Sequence, residues 1–190
     1  MAVAPSRFKR RAIFVDRDGT LNPDLHYLSD AGRLELYPGV GDAIRLAQVH
    51  GFSVICVTNQ SGIARGLITS ADVDRIHERL NVLLHRDHTE IDGFYYCPHA
   101  PEAGCACRKP GVLLFERAAH DYHLDLSASS IVGDRALDVQ AGDRLGLLTA
   151  LVPQRGHEAE SRQDIAQAGV TPEIRAATFS SAVHRILSRG

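Results

Sequence analysis

Apolar residues along this chain fall into short continuous runs separated by longer amphipathic stretches. The runs are Ala12–Val15, Phe52–Val57, Gly93–Cys97, Ser130–Gly133 and Leu147–Val152. Runs this short, bounded by turn residues, predict strands buried on both faces. Between them the period changes to that of helices. Residues 39–50 place Val40, Ala43, Ile44 and Ala47 on one face, opened by Pro38-Gly39 and closed by Gly51. Thr69 or Ser70 caps a helix to about His85, with Val73, Ile76, Leu80, Leu83 and Leu84 inward. Further helices are predicted over 111–122 and 136–145, a weak one near 158–168, and a terminal one over 181–188. Strands alternating with helices predict an α/β fold. Its parallel sheet has about five or six strands, with right-handed crossovers and helices on both faces. One domain is expected over 1–190: a flexible arm at 1–10, a core at 11–152, and a C-terminal loop and helix at 153–190. No internal repeat or low-complexity linker interrupts it.

The polar residues of interest stand where these strands end. Asp16 and Asp18 follow the first strand, and Gly19-Thr20 turn the chain away. Thr58 ends the second strand, and Asp134 the fourth. The loop after the third leads to Lys109. In a doubly wound sheet the carboxyl ends share one edge, so these residues converge. Two neighbouring carboxylates repel, and burying both requires a cation or a shared proton. A carboxylate nucleophile beside a second carboxyl, with a hard divalent ion and a phosphate, satisfies that requirement. Residues 21–37, with Asp24, His26 and Tyr27, read as a flap after the acidic strand end. No large insertion follows the first or second strand, so no large cap domain is expected.

A second cluster is compact. Cys97, His99, Cys105 and Cys107 fall within eleven residues of a Pro/Gly-rich loop. Three thiolates and an imidazole form a closed tetrahedral set suited to structural Zn²⁺. Such an ion would fold a loop too short for its own core and fix the Lys109 that comes after it. His99 is the one histidine of ten assigned a ligand role. His26 lies in the flap beside the site. His50, His77, His85, His88, His120 and His123 are expected on exposed helices or loops. Cys56, inside an apolar run, reads as inert core.

Composition narrows the classes. The chain has 190 residues, 44% apolar and 23% charged, with net charge −2. That balance suits a globular protein and gives no electrostatic case for binding nucleic acid. The basic stretch Arg7–Arg11 is short. No apolar stretch approaches a membrane span, and no signal peptide is evident. A reducing cytoplasm and a monomer are expected.

Asp16-Arg-Asp-Gly-Thr20, Thr58-Asn-Gln, Arg108-Lys109-Pro110 and Gly133-Asp-Arg-Ala-Leu-Asp138 resemble, in order, the four motifs of the haloacid-dehalogenase (HAD) superfamily of phosphatases. The resemblance spans residues 11–152 and implies a HAD-like Rossmannoid core. It implies that Asp16 is the nucleophile and Asp18 the general acid and base. Thr58 and Lys109 would stabilise the phosphoryl group. Mg²⁺ would be held by Asp16, by the Asp18 carbonyl and by Asp134, with Asp138 behind them. The zinc loop points to a smaller group that holds heptose-bisphosphate and histidinol-phosphate phosphatases. Thr58–Gly66 and Asn22–Tyr27 resemble the heptose branch. The five residues between His99 and Cys105 are closer to the histidinol branch, and Arg135 stands where many of the heptose branch carry Lys. The resemblance thus implies a Mg²⁺-dependent phosphatase acting on the C7 phosphate of a heptose 1,7-bisphosphate, in activated-heptose synthesis for lipopolysaccharide or capsule. The alternatives are a histidinol-phosphate phosphatase, a polynucleotide 3′-phosphatase and a non-enzymatic phosphoacceptor. Asp24, His26, Tyr27, Asn59, Gln60, Ser61, Arg65, Arg108 and Arg135 are the expected substrate contacts.

Overall fold

Each apolar run forms a strand covered on both sides, the condition under which a parallel sheet persists. The structure, a computed structural model, describes residues 10–189. The strands are β1 (Arg11–Val15), β2 (Phe52–Asn59), β3 (Gly93–Cys97), β4 (Ser130–Gly133), β5 (Leu148–Leu151) and β6 (Ile174–Arg175). All pairings are parallel, in the order β3-β2-β1-β4-β5-β6. The chain builds outward from β1 through β2 and β3, then returns to the other flank of β1. That reversal lies between β1 and β4, where a crevice opens at the carboxyl ends.

The two-residue period of the strands divides the core. Ile13 and Val15 of β1 and Val54 and Cys56 of β2 face one side. Ala12, Phe14, Ile55 and Val57 face the other. The helices are α1 (Val40–Val49), α2 (Ser70–Leu84), α3 (Leu113–Asp121), α4 (Ala136–Leu145), α5 (Glu158–Ala168) and α6 (Phe179–Leu187). Helices α1, α2 and α6 cover the first side through Ile44, Ile76, Leu80, Val183 and Ile186. Helices α3 and α4 cover the second, where the Phe14 and Phe115 rings meet edge-on, centroids 5.1 Å apart. Thr69 caps α2 in a reciprocal box with Asp72, which explains why that helix starts where it does.

The edges add detail. The expected five or six strands are six: β6, too short to show a period, pairs Ala150 with Ile174 at the free edge of β5. Helix α6 begins two residues before the predicted 181, capped by Thr178. Arg10 is bridged to Leu124, and the rest of the predicted arm, 1–9, lies outside the described residues. The weak helix expected near 158–168 is α5, which buries only Ser161 and Ile165. No helix among the described residues is long and apolar enough to cross a membrane.

Candidate active site

Asp16 leaves β1 with its N–H still donating to Val132 O at 3.0 Å, so its carboxylate is aimed by the sheet itself. The turn after it depends on Gly19. Its φ is +85°, and a Cβ there would lie 2.3 Å from Asp134 Oδ2. Only glycine brings this backbone so close to the acid at the end of β4.

Three buried acids meet one buried cation. Lys109 Nζ donates to Asp138 Oδ1 at 2.6 Å and to Val57 O at 2.9 Å, and lies 3.1 Å from Asp16 Oδ1. Burial opposes the ammonium charge, but Asp138 and Asp16 outweigh it and hold the lysine above its ordinary value. The acids are not all neutralised. Burial first, then the neighbouring carboxylates, pushes Asp16 up to about 6 and Asp134 up to about 9. Carboxylate oxygens of Asp16, Asp134 and Asp138 lie within 4.8 Å of one another, and Asp134 Oδ1 is buried without a hydrogen-bond partner. Three carboxylates against one ammonium, all-oxygen, with an orphaned acceptor, fit a hard divalent cation. The side chain of Asp18 is not in this cluster.

Asp18 is held apart by a different set of donors. Arg17 grips both its oxygens, Nε to Oδ1 at 3.2 Å and a terminal nitrogen to Oδ2 at 2.7 Å. Asn22 donates to Oδ1 at 3.0 Å and Gln60 to Oδ2 at 2.9 Å. Burial resists the charge, yet Arg17, Asn22 and Gln60 together hold the carboxyl below its ordinary value. Gln60 Nε2 also donates to Thr58 Oγ1 at 3.0 Å, which ties the acid to the threonine. Asn59 clasps the backbone of Lys109: its Oδ1 accepts from the Lys109 N–H at 3.0 Å and its Nδ2 donates to Lys109 O at 3.3 Å.

Arg17 and His77 were missed. An arginine between two aspartates reads as solvated, but it is among the largest fully buried side chains. His77, expected to be exposed, is buried against Phe94. A signal existed: it stands four residues after Val73 and three before Leu80, on the apolar face of α2. Burial, then Arg17, pushes its imidazole down to about 3. Its unfolded counterpart takes up a proton near pH 6.5, so the unfolded state binds more protons below that pH. Stability is therefore expected to fall with falling pH, by about 2 kcal/mol between pH 6.5 and 4.5. Urea titrations across that range should show this part of the slope disappear in His77→Phe; an unchanged slope would rule it out.

These groups open onto a cleft of about 260 Å³. It gathers every predicted catalytic, Mg²⁺ and substrate-facing residue except Arg65, and adds Leu137. Arg65 stands exposed on the 59–68 loop, beside the cleft residues Asn59, Gln60 and Ser61 in sequence. The flap closes on that loop at Gly62, where a Cβ would meet the Tyr27 ring at 2.6 Å. Arg135 is paired with Asp164 at 3.2 Å, and Ser161 Oγ donates to Asp134 O at 3.2 Å. Helix α5, with little apolar character, therefore braces two residues of the cleft.

The second cluster adjoins the cleft. Cys97 Sγ lies 3.6 Å from Cys105 Sγ and 3.2 Å from Cys107 Sγ, and His99 Nδ1 lies 3.2 Å from Cys107 Sγ. Bonds of about 2.3 Å to a tetrahedral ion give edges of roughly this length. Arg108 comes at once after Cys107, with a terminal nitrogen 3.4 Å from His99 O. Cys56 is buried in the core and its thiol is pushed up to about 12 by burial, as an inert cysteine should be.

A family described as HAD-hydrolase-like matches residues 106–178. The D-glycero-beta-D-manno-heptose-1,7-bisphosphate 7-phosphatase of Escherichia coli K12 is 41% identical over 167 residues, which cover 80% of this chain and 86% of the relative. The chain belongs to the heptose-1,7-bisphosphate 7-phosphatase family of HAD-like hydrolases. The D-glycero-D-manno-heptose-1,7-bisphosphate 7-phosphatase of Chlorobaculum tepidum, of the same family, is 38% identical over 80% of this chain and 82% of its own. A crystal structure of the D,D-heptose 1,7-bisphosphate phosphatase of B. bronchiseptica, complexed with magnesium and phosphate, superposes with a TM-score of 0.82 at 31% identity. That match covers 95% of this chain and 99% of the other. Family membership makes the protein a phosphoric monoester hydrolase, with the acids at the crevice as its candidate machinery.

Proposed function

We propose that the protein removes the C7 phosphate of D-glycero-D-manno-heptose 1,7-bisphosphate through an aspartyl-phosphate on Asp16. What carries this reading is the cluster of Asp16, Asp134 and Asp138 around Lys109 at the crevice, in a chain of this family. An Asp16 oxygen bonds to phosphorus as the bond to the sugar oxygen breaks. Asp18, which must take up a proton against the hold of Arg17, gives it to that oxygen and later takes one from the attacking water. Thr58 and Lys109 hold the phosphoryl oxygens as charge shifts among them. Asp138 keeps Lys109 aimed, which is a closer contact than the metal-tuning role expected for it. Mg²⁺, held by Asp16, the Asp18 carbonyl and Asp134, would offset the phosphate charge. Zn²⁺ would be held by Cys97, His99, Cys105 and Cys107 and would brace the turn into Arg108 and Lys109. Three cysteines gathered with a histidine as a zinc site, not as disulfides, support a cytoplasmic location.

The zinc reading gives a direct expectation. Protein purified without added zinc should carry one tightly held Zn²⁺ per chain, measured by elemental analysis. Cys105→Ser should lose it together with most activity. Active, well-folded protein free of zinc would remove the site.

The substrate reading is tested by a panel. A bisphosphate leaves one anion outside the Mg²⁺ site, and Arg108 on the cleft wall offers it a planar, charged fork. Histidinol phosphate lacks that anion and carries cationic nitrogen. The heptose 1,7-bisphosphate is expected to exceed histidinol phosphate in kcat/KM by at least roughly a hundredfold. Arg108→Ala should narrow the ratio by hurting the bisphosphate. A preference for histidinol phosphate would mean that the spacing of the zinc loop decides the substrate.

A further inference from the structure

We propose that Arg17 is a positioning residue for the proton donor of the first chemical step, and that His77 in turn positions Arg17. The inference rests on the reading of Asp18 as that donor. Arg17 sits between Asp16 and Asp18 in sequence, yet it is 1% exposed and does not line the cleft. Burying a guanidinium is costly unless its donors are met. Here two nitrogens grip the two Asp18 oxygens, and the third points at His77 Nε2, 3.4 Å away. The His77 ring lies flat on Phe94, with centroids 4.3 Å apart and planes 12° apart. The stack keeps the acceptor nitrogen aimed at Arg17, and the neutral imidazole it requires is the form that burial favours.

The fork also sets the plane of the Asp18 carboxyl. Two-point contact fixes the orientation of a carboxylate as well as its place, which a single-point ammonium does not. Asn22 and Gln60 add one bond each, so each Asp18 oxygen accepts twice. When Asp18 carries the proton, one of these contacts must yield, and the fork keeps the group in register meanwhile. The electron pair of the breaking P–O bond goes to the departing oxygen, which takes the Asp18 proton while the Asp16–phosphorus bond forms. A misaimed donor slows this step only for leaving groups that need the proton.

The test is kcat/KM with Mg²⁺ for phenyl phosphate and for p-nitrophenyl phosphate. This ratio covers events through cleavage of the first P–O bond, and p-nitrophenolate departs with little need of a proton. Arg17→Lys keeps the charge and loses the fork. Its loss should be at least about tenfold larger on phenyl phosphate than on p-nitrophenyl phosphate. His77→Phe keeps the stack and removes the acceptor; it should skew the same way. His77→Gln, which restores an acceptor, should recover most of that loss. Equal losses on the two substrates in Arg17→Lys and His77→Phe would overturn the inference. Should Arg17→Lys fail to fold, the two His77 variants decide by the same criterion. Asp18→Asn separates the two levels. A skew there with none in the others sinks only the positioning role, whereas a flat Asp18→Asn sinks the reading of Asp18 and this inference with it.

Discussion

Asp16→Asn is expected to lower turnover by more than about a thousandfold while the protein stays as stable as before, or becomes more so. The two halves of that result have separate causes. The amide keeps the shape of the carboxylate and its backbone placement between β1 and β4, but it is no nucleophile. Stability holds because Asp16 is one of three clustered acids, raised to about 6 by burial and by its neighbours Asp138 and Asp18. Removing one negative charge relieves that repulsion when no divalent ion is present. Steady-state kinetics and a urea titration in EDTA measure both halves. A folded variant that keeps more than a tenth of wild-type turnover would show that another group attacks phosphorus.

Lys109→Met should fail in the opposite manner, losing activity and stability together. Among the described residues the ammonium is the one side-chain cation in an ion pair with Asp138 and with Asp16, and it and Asp138 are both buried. Taking away one partner of a buried ion pair leaves an uncompensated charge, at a cost of about 3–5 kcal/mol. Turnover should fall by about a hundred- to a thousandfold, the usual effect of losing a charge-stabilising donor. Adding Asp138→Asn to Lys109→Met should recover much of the stability and little of the activity, because the stranded charge is gone while the phosphoryl contact stays lost. A loss below about 1 kcal/mol in Lys109→Met would mean that the pair is not the buried, dry contact described here.

Much of this protein is legible in its residues alone, for reasons of short range. The strands are continuous apolar runs, so β1 to β5 and the sense of the sheet come from local patterning. Their polar ends come with them, because a parallel sheet places every carboxyl end on one edge. Cys97, His99, Cys105 and Cys107, the residues proposed to hold Zn²⁺, lie within eleven residues, so their meeting needs little tertiary information. Burial of polar groups is different, since partners far away along the chain decide it. Arg17 has its place because Asp18 accepts its fork and because His77, sixty residues on, closes behind it. Asp138 is the partner of Lys109 through a bond across twenty-nine residues. Asn59 and Gln60 line the cleft, and only the packed structure shows that their amides also serve the Lys109 backbone and the pair Asp18 and Thr58. Arg65 shares a loop with cleft residues, but Gly62 and Tyr27 close there first and leave it in solvent. β6 has no pattern of its own and exists because β5 offers an unpaired edge. Local periodicity decides which face of an element is apolar, but only the packed structure decides which charges lose their water, since that depends on whether a partner arrives to replace it.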